Sequence, residues 1–180
     1  MVTVTTYIRV SENIYIHESE WLTQFDAMVE QGALDIHFIR SKIVITEDGQ
    51  EKTVFDDCLG PLVQNLCLFG SKHLLAGQDY KFNYWNYEGE VRMILKGDEV
   101  RVEGDFLQPA LYPRRELTKA LLDCAQKVIE FLKTVQTKKR ETEASSIVYL
   151  EKLYLEVMES YLRTGNLTLK SINQNNLSRN

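Results

Sequence analysis

The stretch Asp79–Phe106, DYKFNYWNYEGEVRMILKGDEVRVEGDF, leaves a folded chain few choices. It reads as three antiparallel strands joined at Glu88-Gly89 and at Gly97-Asp98, and a glycine in first place, as at Gly97, suits a type II′ hairpin turn. With Gly97 and Asp98 as a two-residue loop, Leu95 faces Val100 and Met93 faces Val102. With Glu88 and Gly89 as the other loop, Tyr84 faces Met93 and Phe82 faces Leu95. Both pairings put Phe82, Tyr84, Val91, Met93, Leu95, Val100 and Val102 on one face. Lys81, Asn83, Trp85, Arg92, Ile94, Lys96, Arg101 and Glu103 fall on the other. A slip of one residue inverts a strand, so agreement between two independent turns marks a half-buried sheet. The same register sets Arg92 opposite Trp85 and Glu103, a cation–π contact and a cross-strand ion pair on the outer face.

The remaining chain supplies more strands and the helices that cover the apolar face. Thr3–Val10 and Asn13–His17 form an opening hairpin around Ser11-Glu12-Asn13. Ser19 caps a helix that buries Leu22, Phe25 and Val29, carries Trp21 and Met28 on its flanks, and stops at Gly32. In Leu34–Ile39 the apolar residues Leu34, Ile36 and Phe38 alternate with Asp35 and His37, the pattern of a strand. A second hairpin pairs Lys42–Thr46 with Lys52–Phe55 across Glu47-Asp48-Gly49-Gln50. A helix over Cys58–Ala76 then carries Leu59, Leu62, Val63, Leu66, Cys67 and Phe69, with Asp56 or Asp57 as its cap, Pro61 in its first turn, a kink at Gly70 and an end at Gly77. As the most apolar segment, it is expected to pack on the apolar face of the meander.

After the meander, Gln108-Pro109 and Tyr112-Pro113 break the chain, and Pro113 opens a helix. Leu117, Leu121, Cys124, Val128, Leu132 and Val135 recur at helical spacing. Lys138–Glu143 is a polar hinge, and Ile147, Leu150, Tyr154, Val157 and Tyr161 mark a last helix that ends near Gly165. One long bent helix over 113–164 competes with a helical hairpin. The hairpin is preferred because ordinary globular helices run to ~10–14 residues. Thr168–Asn180, rich in Asn and Ser, has little to bury and reads as a disordered tail. The expectation is one α+β domain over 1–167, an antiparallel sheet packed on one side by helices, with a C-terminal helical hairpin.

Charge is unevenly divided. Residues 1–106 hold nine Lys and Arg against 18 Asp and Glu, a net of −9; residues 107–180 hold 12 against eight, a net of +4, and the whole chain −5. The negative field of the first part speaks against nucleic acid and for a basic partner. No apolar run approaches the ~20 residues that span a bilayer, and MVTVTTYIRV lacks the pattern of a secretion signal. Cys58, Cys67 and Cys124 form no even framework, so reduced thiols in a cytoplasm are expected.

Catalytic signals are sparse. His17, His37 and His73 stand at no recognised metal spacing, and the Walker, GxGxxG, GxSxG and HExxH motifs are absent from the sequence. The expectation is no metal and no cofactor. His37 reads as a solvent-facing strand residue, and Cys67 and Cys124 as small core residues. Cys58 has the one functional case among the thiols, at a helix start whose dipole favours a thiolate while Asp56 and Asp57 oppose it. The adjacent acids offer a carboxylate site, for which capping is the simpler cause. Arg114 and Arg115 at a helix start are a candidate anion site. Trp85, Tyr87, Glu88, Glu90, Arg92 and Glu103 form the candidate binding surface.

The run ILKGDEVRVEGDFLQPALYPRRELTKALLDCAQKVIEFL, a strand hairpin followed by a Tyr-Pro start to a long amphipathic helix, resembles small acidic α+β proteins of bacteria, among them immunity proteins of polymorphic toxin systems. The resemblance covers residues 57–135 and assigns no residue a role. It implies a toxin-neutralising protein without catalysis, acidic because many toxin nucleases are basic. The leading expectation is therefore a non-enzymatic, cytoplasmic protein-binding module. The alternatives are a small hydrolase or transferase built on Asp56, Asp57 and His73, and a structural protein that homodimerises through its last helix.

Overall fold

The computed structural model describes the backbone of residues 1–36, 38–139 and 145–177, and the side chains of those up to Thr164. The fold is α+β, with two four-stranded antiparallel sheets. In the first, β1 (Val2–Ser11), β2 (Ile14–His17), β3 (Arg40–Glu47) and β4 (Gln50–Cys58) lie in the order β2-β1-β3-β4. Both hairpins turn where the sequence predicts. Asn13 takes φ 63°, and Asp48 and Gly49, at φ 50° and 78°, make a two-residue loop closed by Glu47 and Gln50. Two successive positive φ values are the type I′ signature that matches strand twist.

The second sheet holds the meander and one strand more: β5 (Tyr80–Asn83), β6 (Glu90–Lys96), β7 (Glu99–Gly104) and β8 (Leu107–Pro113). Between β6 and β7 the predicted register holds, Leu95 opposite Val100 and Met93 opposite Val102, with Gly97 at φ 67°. Between β5 and β6 it does not: Phe82 pairs with Val91 and Tyr80 with Met93. The shift is four residues, an even number, so Phe82 and Tyr84 keep the buried face while the turn grows from two residues to Tyr84–Gly89. Lys81, not Trp85, stands opposite Arg92, so the predicted Arg92–Trp85 contact is lost, while the predicted Arg92–Glu103 pair forms at 3.8 Å.

The segment with Pro109 and Pro113 is not a break but β8. It is an edge strand, where a missing N–H costs no ladder bond, and a register irregularity opposite Glu103 takes up Pro109. β8 abuts β4 of the first sheet, joined on the buried side by a Thr53–Tyr112 hydroxyl bond of 2.6 Å.

The helical segment after β4 is continuous but irregular: α2 (Leu59–Leu62), a π-helical run (Val63–Phe69) and α3 (Gly70–Leu75). The irregularity is the π run rather than a kink at Gly70, and it lies between α4 (Arg114–Lys139) and β5. α4 packs on β1 and β8 and so bridges the two sheets. Its stripe Leu117, Leu121, Cys124, Val128, Leu132 and Val135 is buried throughout. α5 (Ser145–Leu177) folds back on α4, with Lys133 to Glu151 at 2.7 Å and Tyr154 Oη to Gln126 at 3.2 Å, so the C-terminal pair is a hairpin. Of the polar hinge, Lys138 and Lys139 are helical and 140–144 lie outside the described residues.

Two local expectations fail. The first helix does not start at Ser19. Glu18–Glu20 form a 3₁₀ turn capped by His17, whose Nδ1 accepts from the Ser19 N–H, and α1 is only Phe25–Glu30. Glu18 turns inward to accept from the Thr6 N–H (2.9 Å) and from Lys127 (2.5 Å). The changed phase buries Trp21, Phe25 and Met28 and leaves Leu22, 64% accessible, in solvent together with Val29. Leu34–Ile39 is a turn closed by Phe38 N–H to Asp35 O, with Leu34 and Ile39 buried and Phe38 exposed; His37 lies outside the described residues.

The last helix passes Gly165 and reaches Leu177, into the stretch read as a disordered tail; extending a formed helix costs far less than nucleating one. Residues 178–180 lie outside the described residues. Among the described residues, the fully buried side chains of α5 are Ile147, Leu150, Leu153 and Val157. Deletion of 168–180 is therefore expected to move the melting temperature by less than ~2 °C, against ~2–4 °C per kcal/mol for a domain of this size. A larger drop in a thermal scan would show that the end of the helix docks.

Candidate functional site

Asp57 organises the most unusual surface of the molecule. It is the penultimate residue of β4, 1% accessible, and it caps no helix. Its carboxylate accepts from the Cys58 N–H at 2.7 Å, the Trp85 N–H at 2.5 Å, the Asn86 N–H at 3.2 Å and the Asn86 side-chain amide. The six-residue loop 84–89 is thus clamped from the neighbouring sheet. The same amide nitrogen of Asn86 reaches Cys58 Sγ at 3.1 Å, and Tyr87 Oη donates to Asp56 O at 2.7 Å. Tyr84 N–H to Gly89 O closes the loop. Charge-assisted bonds to a buried carboxylate are among the stronger ones available to a backbone.

Held this way, the loop continues a row of aromatic rings. His73 of α3 stacks on Tyr80 at 4.5 Å, and Phe82, Tyr84, Tyr87 and Phe106 follow at 4.5–6.4 Å from ring to ring. Gly89 lets Phe106 lie against the loop, since a Cβ there would stand 2.6 Å from its ring. Burial pushes the Tyr87 hydroxyl up to about 12, with the charges of Asp57 and Asp56 adding to it. Trp85, in the same loop, is 67% accessible, and Phe106, at the end of the row, 64%. Asn83–Glu90 and Asp105 line an open concavity of about 570 Å³ there.

The predicted binding residues separate into two groups. Trp85, Tyr87 and Glu88 come together on the loop, with Glu90 at its base. Arg92 and Glu103 belong to a charge network on the outer sheet face, where Lys81 meets Glu90 at 2.9 Å, Arg92 meets Glu90 at 3.5 Å, and Arg101 meets Glu103 at 2.7 Å. Glu90 and Glu103 are thereby neutralised, and Glu88 and Asp105 remain as the negative charges of the concavity. Asn86 and Phe106 escape the sequence reading, as does the role of Asp57, which reads there as a cap or one of an acid pair. The signal available was the aromatic density of YWNYEG, which a strand reading absorbs.

Arg114 and Arg115 open α4 and line a cavity of about 430 Å³ with Leu74, Leu75, Asp98, Thr118 and Tyr161. The Arg114 N–H is spent on Asp98 O at 2.8 Å, and the Asp98 carboxylate on the rim opposes an anion. The proposed acid pair also divides. Asp56 accepts from Tyr15 Oη at 2.7 Å and stands 3.8 Å from Arg40, while Asp57 is taken up by the loop. His73 Nδ1 bonds to Phe69 O, and no described hydrogen bond or ion pair links it to either acid. Among the described residues, no three His, Cys, Asp or Glu side chains converge as metal ligands would. Cys58 does stand at a helix start, as the N-cap of α2, but it is buried there; Cys67 and Cys124 are buried too, and the hydrogen bond to Cys124, with burial, pushes the Cys67 thiol well up. No helix among the described residues is long and apolar enough to cross a membrane. The arrangement at Trp85 suits recognition: rigid aromatic area, negative charge, and polar groups already engaged in holding the loop.

Comparison of the chain with family models, with curated proteins and with solved structures finds no match.

Proposed function

We propose that this protein is a non-enzymatic binding module that seats a basic protein surface on the loop around Trp85. The observation that carries the reading is the clamp: three hydrogen bonds from the loop to buried Asp57 present an exposed tryptophan on a rigid support. Rigid aromatic anchors are the common centres of protein interfaces, because little conformational freedom is lost when they are covered. The net charge of −9 over residues 1–106 gives the sign of the partner. Its sharpest form is an immunity-type role in a cytoplasm, the neutralisation of a basic toxin, which rests on the resemblance of residues 57–135.

Rim charge and buried anchor act on different rates. Trp85→Ala is expected to speed dissociation and cost ~2 kcal/mol or more of affinity. Glu88→Lys is expected to slow association, with an effect that shrinks as salt rises. The test is capture of partners from the native organism on wild-type and Trp85→Ala protein, followed by kinetics at two salt concentrations. A basic protein lost from the Trp85→Ala sample supports the reading. Identical captures on both, or an acidic partner, would overturn it.

A further inference from the structure

A second surface, on α5, carries apolar residues that the fold leaves uncovered. Val148, Leu155 and Leu162 are all exposed and stand seven residues apart, so they form a nearly straight stripe along the helix. The residues that pack α5 onto the body, Ile147, Leu150, Leu153 and Val157, occupy a different face. Leu155, at 62% accessible, is the most exposed of the three. The same spacing continues in the sequence at Leu169. One flank of the stripe bears Lys152 and Glu159, also seven apart and of opposite sign.

We infer that this stripe is the contact between two copies of the chain, packed through antiparallel α5 helices. The pattern is complementary to itself under a two-fold axis at Leu155. Val148 of one copy then faces Leu162 of the other, and Leu155 meets its own equivalent. In an antiparallel pair related by such an axis, like flanks adjoin, so Lys152 comes within one position of level with Glu159 of the second copy, twice. A contact of this kind needs no other molecule to complete it, which is the reason to assign it to a second copy. The stripe from Val148 to Leu162 is about 21 Å long at 1.5 Å per residue. That is short for the roughly 800 Å² per partner of a standard interface, so the dimer is weak and depends on concentration. The surface is separate from the loop at Trp85, and either assignment stands without the other.

The experiment is sedimentation equilibrium of the full chain over a range from about 10 μM to about 1 mM, the interval where an interface of low area self-associates. The wild type is expected to pass from monomer to dimer. Leu155→Glu is expected to raise the dissociation constant at least tenfold, roughly, while leaving the thermal transition unchanged because the residue is exposed. Lys152→Glu alone is expected to weaken the dimer, and the double variant Lys152→Glu, Glu159→Lys to restore it. Leu22→Glu, exposed elsewhere, is the control and should not alter association. A wild type that stays monomeric throughout, a dimer indifferent to Leu155→Glu, or a double variant no better than the single one would each overturn the assignment.

Discussion

Asp57→Ala is expected to lower the unfolding free energy by about 2–4 kcal/mol, because four donors lose their acceptor, one in a buried bond and three in part-buried ones. The neutral change Asp57→Asn is nearly as costly, at about 2–3 kcal/mol: it keeps one acceptor but turns an amide donor toward N–H groups already pointing inward. A helix-capping role, which the sequence suggests, predicts only ~0.5–2 kcal/mol for the same change. Denaturant titration separates the two. The loss is also localised, since faster hydrogen exchange is expected first at the Trp85 and Asn86 amides and at the bonds that close the loop. A loss under ~1 kcal/mol with those amides still protected would show that the carboxylate does not hold the loop.

Leu66→Ala and Leu121→Ala are each expected to cost about 2–5 kcal/mol. Both side chains are wholly buried, Leu66 in the π run and Leu121 on α4, and these two elements pack against each other beneath the sheets. Truncation removes transfer free energy and leaves a void that close-packed neighbours only partly fill. The π run makes Leu66 the more informative of the two. A π turn carries an extra residue and tends to be strained, and its persistence here rests on the fit of its side chains. Relaxation of that run to regular α-helix in the variant would show as a loss well below the range. Leu22→Ala, at a site mostly in solvent, is expected to stay within ~0.5 kcal/mol.

The parts of the fold that could be read from sequence are those decided locally. The Asp48-Gly49 and Gly97-Asp98 turns name their own conformations, and each sets the register of its strands. The stripe on α4 is legible for the same reason, since one helix carries it entire. The errors fall where a distant group decides. The β5–β6 turn was misplaced because alternation is blind to an even shift, so Phe82 and Tyr84 came out on the right face in the wrong pairing. The start of α1 depends on Glu18 reaching Thr6 and Lys127, and nothing near Glu18 announces either. β8 looked like a break because a proline is forbidden in an inner strand and tolerated at an edge, and which strand is the edge is a property of the whole sheet. At the candidate site, Trp85, Tyr87 and Glu88 were legible as exposed aromatic and acidic residues. Their support was not, since Asp57 lies 28 residues from Trp85 and looks like an ordinary helix cap.

The carboxylate that shapes the loop belongs to one sheet and the loop to the other. A half-synthesised chain that has completed only β1 to β4 therefore has the clamp and nothing to clamp, while an isolated meander has the aromatic residues and no means of aiming them. The proposed recognition surface takes its shape only once the two sheets lie side by side, so on that proposal maturation of the fold and competence to bind are a single event. The converse also holds. A ligand that grips Trp85 favours the assembled state, and it fastens together two halves that could otherwise part, with a resistance to unfolding that rises with ligand concentration.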